Sequence, residues 1–146
     1  MEICVTTWMS QQSNMTFDPQ ALLANLTEKE RVYGHHSAEG RAIRTLSRAL
    51  HGWSTENLSA SDVVAMCDQA LEDWLKARLN ISAWSAARVP QLLTAAVAAN
   101  LLTPAESTRV YTMHDLRFSA AAGAISADDV SGGLLSAIEI VERHWS

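Results

Sequence analysis

The chain has 146 residues, 48% of them apolar and 18% charged, with six Gly, three Pro and a formal charge of −5. That length and composition suffice for one hydrophobic core, leave no need for a second domain, and describe a folded helical globule without disorder beyond its N-terminus. The acidic balance argues against broad, charge-driven binding of nucleic acid, although a local basic stripe can still meet phosphate. Cys4 and Cys67 are too few and too scattered for a zinc cluster or a disulfide framework, which fits a reducing compartment. The opening residues Met1 to Met9 lack the basic start and apolar run of a secretory signal, and no later run is long enough to cross a bilayer. The expectation is a cytoplasmic protein with no membrane contact and no cofactor, one domain over 1–146 that is loosely ordered over about residues 1–17.

Helix signals follow in order. Asp18 and Pro19 open a first helix, on which Leu22, Leu23 and Leu26 form a short apolar face. Thr27-Glu-Lys-Glu30 repeats a capping signature, which predicts a break near Asn25, with Gly34 as the stop. Ser37 caps the next helix, where Ile43, Leu46, Leu50 and Trp53 share one side, Arg41, Arg44, Arg48 and His51 line another, and Gly52 is the expected end. The three Arg are candidate contacts for phosphates of RNA or a nucleotide; the plainer reading is a solvated face, or pairs with acids of a neighbouring helix. Ser59-Ala-Ser-Asp62 starts a long helix that ends near Asn80 and carries Val63, Cys67, Ala70, Leu71 and Trp74 at helical spacing. On it, Glu72 is the acid expected to turn inward. Trp84 is expected to cap the core edge, and Pro90 opens an Ala-rich helix toward Asn100 that reads as a packed central helix.

The last two helices carry the clearest pattern. Thr103-Pro104-Ala105-Glu106 is a capping box with Pro at the first helical position, and Ser126 caps a helix with Val130, Leu134, Ile138, Val141 and Trp145 on one face. Within the latter, Gly132 and Gly133 each cost about 1 kcal/mol relative to Ala. That cost points to close contact with another helix or subunit, or to a helix that begins late. The sum is an all-α fold, an antiparallel bundle of about five helices joined by short links.

From about Ser59 to Trp145, this order of elements resembles the HEPN superfamily of higher-eukaryote and prokaryote nucleotide-binding helical domains. The matching pieces are the helix with Ala70-Leu-Glu-Asp-Trp-Leu-Lys-Ala-Arg-Leu79, a helix ending in Asn100-Leu-Leu-Thr-Pro104, Leu116-Arg117 with a small-residue turn, and the closing apolar helix. The family's junction reads Arg, a polar residue that is often Asn, a few variable positions, and His. The resemblance implies a helical homodimer in which paired Arg and His side chains cut RNA, the Arg stabilising phosphate charge and the His serving acid–base work. Here Arg117 holds the Arg position, Phe118 stands where Asn is common, and Ala122 stands where His is expected. Ala can neither transfer a proton nor donate a hydrogen bond, so the resemblance implies a catalytically dead copy. Glu72 on the matching upstream helix is then expected to hold Arg117 in a structural pair.

Other chemistry has less support. Adjacent His35 and His36 diverge on a helix and lack nearby Cys or spaced carboxylates, so no metal is expected. Phosphate-cradling Gly loops, nucleophile elbows and His-Glu-x-x-His runs are missing from the sequence. Trp53, Trp74, Trp84 and Trp145 read as core anchors in preference to base-stacking groups. Three functions remain in play. The first is a non-catalytic HEPN-like homodimer that binds protein or nucleic acid in a prokaryotic defence or toxin–antitoxin-type system. The second is an active endoribonuclease using Arg117 with His114, which lies three residues earlier on the same helix. The third is an unrelated helical adaptor or inhibitor that offers a partner the apolar face around Gly132 and Gly133.

Overall fold

A computed structural model describes residues 19–34, 36–82, 84–121, 123 and 125–144. They form six helices: α1 (Pro19–Tyr33), α2 (Ala38–Ser54), α3 (Ala60–Arg78), α4 (Val89–Ala98), α5 (Pro104–Ala121) and α6 (Ala127–Arg143). No strand occurs among the described residues, so the fold is all-α. None of these helices is long and apolar enough to cross a membrane.

Caps set most of the boundaries. Ser37, Ser59 and Ser126 each accept a backbone N–H from the first turn of the helix that follows. At α5, the Glu106 N–H donates to Thr103 Oγ1 at 3.1 Å and the Thr103 N–H donates to Glu106 Oε1 at 3.0 Å, the reciprocal box expected from sequence. Asn80 and Asn100, at φ 58° and 59°, lie just beyond α3 and α4 and stop them in left-handed backbone. Two boundaries differ from expectation. α1 runs unbroken through Asn25, because no Gly or Pro interrupts 20–33, and it stops at Gly34 with φ 94°. α2 runs past Gly52 to Ser54; there the glycine makes room for Leu58, whose Cδ1 would lie 2.2 Å from an added Cβ. The expected Asp18 cap, the residues 1–17 and Trp145 lie outside the described residues.

Contacts fix the directions. Glu30 meets Arg44 at 2.8 Å, Glu39 meets Arg78 at 4.0 Å, and Trp53 Nε1 donates to Ser131 Oγ at 3.0 Å. These set α1 against α2, and α2 against both α3 and α6, with neighbours antiparallel. Arg109 at 2.7 Å from Glu139, and Arg143 at 3.3 Å from Glu106, make α5 and α6 antiparallel as well. Among the described residues the central element is α3, which packs on α2, α4, α5 and α6, whereas α4, expected at the centre, packs there on α3 and α5 alone. At 10 residues α4 is too short to span the bundle. Leu26, Ile43, Leu71, Trp74, Leu92, Val110 and Ile138 join one core to which every helix contributes.

Charge is buried where α3, α5 and α6 meet. Glu106 is 3% exposed, with Arg143 at 3.3 Å and His144 at 3.5 Å from its Oε2. Burial pushes its carboxyl up, but the Thr103 N–H and the His144 and Arg143 charges outweigh that and hold it below the ordinary 4.5. A carboxyl lowered by folding adds stability that is complete above its unfolded value and lost as pH falls through the folded one. Acid titration of the fold by circular dichroism should therefore show a loss of stability beginning below pH 4.5 that is shallower in Glu106→Gln. Equal slopes would remove Glu106 from the acid response.

The two helical glycines separate. An added Cβ at Gly133 would meet Met113 Cγ at 3.1 Å, whereas at Gly132 it would meet nothing within 4 Å. α6 starts at Ala127, so neither residue marks a late start. Gly132→Ala is thus expected to raise stability by up to about 1 kcal/mol in thermal unfolding. A loss would mean that α6 is strained at that turn.

Candidate functional site

The site grows from the acids of α3. Val64, Asp68, Leu71 and Leu75 recur at spacings of three and four, so Asp68 falls on the buried stripe and is 1% exposed. A carboxylate removed from water needs compensating charge and hydrogen bonds. It finds both on α5: His114 Nδ1 is 2.7 Å from Asp68 Oδ1, and Arg117 donates from a guanidinium nitrogen to Oδ2 at 2.7 Å. His114 and Arg117, three residues apart, share one face and reach the same carboxylate from adjacent turns. Their exposures differ. The Arg117 side chain is 47% exposed and the His114 side chain 15%, so the guanidinium faces solvent while the imidazole is largely covered. The Tyr111 ring lies 6.2 Å from that of His114 and is itself half exposed.

The expected Glu72 to Arg117 pair does not form. Glu72, one turn further along α3, meets Lys76 Nζ at 3.3 Å and Arg88 at 3.6 Å. Lys76 is 4% exposed and also donates to the Ser85 carbonyl at 2.9 Å, so it tethers the 79–88 connection to α3. Glu72 does turn inward, at 5% exposed, but its charge is matched locally. Because α3 and α5 run antiparallel, Arg117 near the end of α5 comes level with Asp68 and not with the residue a turn later.

The basic stripe of α2 is dispersed. Arg41 donates to the His36 carbonyl at 2.7 Å, Arg44 pairs with Glu30 at 2.8 Å, and Arg48 is exposed. Two of the three guanidiniums thus have partners within their own chain, one of them an acid of the neighbouring helix. Cys67, beside Asp68, is 1% exposed; burial and the neighbouring carboxylate push its thiol up to about 12. It stays protonated at neutral pH and cannot act as a nucleophile. His35, and the Ala122 position where the family pattern places His, fall outside the described residues. Among the described residues no three His, Cys, Asp or Glu side chains come together as a metal would require.

Trp84 departs furthest from expectation. It is 95% exposed and caps no core edge, while Trp74 is buried and Trp53 is half-buried. No protein-family model, curated protein or solved structure matches this chain. The site is therefore defined by its own geometry: one buried carboxylate that holds a covered imidazole and a half-exposed guanidinium on a single helix.

Proposed function

We propose that this chain is a non-catalytic helical module of HEPN-like type that works as a homodimer and binds a protein or nucleic-acid partner in a prokaryotic defence or toxin–antitoxin-type system. The observation that carries the reading is the division of labour around Asp68. Its two oxygens hold His114 and Arg117 at 2.7 Å each, so both candidate groups serve a buried structural charge. A general acid or base must come within about 3 Å of the proton it moves. The His114 side chain is 15% exposed and held on Asp68, and the family position for the catalytic His is Ala122, which together favour the non-catalytic reading. What remains for a partner is the half-exposed Arg117 guanidinium, which suits a phosphate or carboxylate.

A second reading keeps catalysis. A carboxylate on Nδ1 is also how imidazoles are oriented for acid–base work, and Arg117 stands beside it. In that reading the molecule is an endoribonuclease using Arg117 with His114. Size-exclusion chromatography with light scattering tests the first reading directly. A dimer is expected, and a monomer at high concentration would count against it.

A further inference from the structure

From the groove between α5 and α6, we propose that this face of the bundle receives a short basic helix of a protein partner, laid over Gly132 with its cations on Asp128 and Asp129. The inference rests on the partner-binding half of the reading above and chooses between its two classes of partner. It starts from a residue that the fold does not explain. Gly133 has an internal reason, since an added Cβ would meet Met113 Cγ at 3.1 Å. Gly132, exposed in the middle of α6, has none: an added Cβ would meet nothing within 4 Å among the described residues. A glycine at such a position weakens the helix relative to alanine. What it supplies is a surface without a side chain, where a second backbone comes closer than any Cβ would allow.

Open space lies over that surface. Met113, Leu116, Gly132 and Gly133 line a groove of about 350 Å³ between α5 and α6. The lining runs from Thr108 to Leu116 on one helix and from Asp128 to Ser136 on the other, about 12 Å along each by helical rise. Two antiparallel helices with a trough of that length between them offer a seat for a third helix of two or three turns, anchored by side chains three and four residues apart.

Charge identifies the occupant. Of the charged side chains in the lining, Arg109 is matched within the chain, donating to Glu139 at 2.7 Å and to Ser136 at 3.2 Å. Asp128 and Asp129 are exposed, and neither takes part in an ion pair among the described residues. The groove therefore presents two uncompensated negative charges at the end opposite Arg109. Phosphates of a nucleic acid would be repelled there. A second copy of the chain would add its own Asp128 and Asp129, setting four carboxylates against guanidiniums that Glu139 already holds. A Lys or Arg near one end of an amphipathic helix instead meets both acids and steers the encounter from the rim.

The test pans a phage-displayed library of short amphipathic helical peptides against the full chain. Fluorescence anisotropy then measures the selected peptides on the wild type, on Gly132→Ala and on Asp128→Asn combined with Asp129→Asn. The selected peptides are expected to carry net positive charge. Gly132→Ala should weaken them roughly tenfold, because its methyl blocks the close approach. That variant is also expected to unfold at a higher temperature than the wild type, so its weaker binding cannot come from a damaged fold. The double Asn variant should bind roughly threefold more weakly and lose most of the salt dependence. An empty selection, acidic or neutral peptides, or peptides that bind both variants as they bind the wild type would overturn this groove. Light scattering reads the homodimer separately, so failure here leaves that part of the reading standing, and a monomer would remove the dimer without touching the groove.

Discussion

Asp68→Ala is expected to lower the unfolding free energy by about 2–3 kcal/mol, through the loss of two charge-assisted hydrogen bonds from one buried acceptor. For a chain of this size that is roughly 5–10 °C in melting temperature. The loss is not larger because the Arg117 guanidinium, already 47% exposed, can turn to water when its partner is removed. The converse change should be milder. Arg117→Ala leaves Asp68 its contact with His114 and removes a half-solvated charge, so a loss of about 1 kcal/mol is expected. Denaturant unfolding of both variants measures the asymmetry. Equal losses, or an Asp68→Ala loss below about 0.5 kcal/mol, would mean that the cluster does not hold α3 to α5.

Gly40→Ala is expected to be comparably damaging, against the usual rule that Ala favours a helix. An added Cβ would lie 2.1 Å from the Gly34 carbonyl oxygen and 2.9 Å from Ser37 Oγ. Those atoms form the turn between α1 and α2: the Ser37 hydroxyl donates to the Gly34 carbonyl at 3.0 Å and accepts the Gly40 N–H at 2.9 Å. Relieving the clash means moving backbone or giving up the cap, together worth about 3–4 kcal/mol, offset by about 1 kcal/mol of helix propensity. A net loss of about 2–3 kcal/mol is expected in the same unfolding assay. A neutral result would show that the α1–α2 turn has slack. Gly132→Ala is the internal control, being the same substitution in a helix with open space.

The helices were legible because caps and apolar spacing are local signals. Ser37, Ser59, Thr103 and Ser126 each announce a start, and Val130, Leu134, Ile138 and Val141 all reach the core. Partner choice between helices was less legible. Glu72 and Asp68 lie one turn apart on α3, and which of them meets Arg117 depends on the antiparallel offset of α5, which no local pattern encodes. A signal for Asp68 was present nonetheless, as a lone acid four residues after Val64 and three before Leu71 on the apolar stripe. The centre of the bundle was also misplaced. Ala-rich composition marks where helices can approach closely, but which helix has most neighbours is set by length and connection, and α3 is longer than α4 by 19 residues to 10. Trp84 was the hardest of all, since its hydrophobicity points inward while the tether at Ser85 holds its loop at the surface.

The most direct test of the central claim, that the Asp68 cluster binds without catalysing, is incubation of the purified chain with mixed RNA, read on a denaturing gel. Intact RNA is the expected result, with wild type and His114→Ala indistinguishable. Cleavage by the wild type that is lost in both His114→Ala and Arg117→Ala would contradict the claim, and would make the imidazole on Asp68 a working acid–base group.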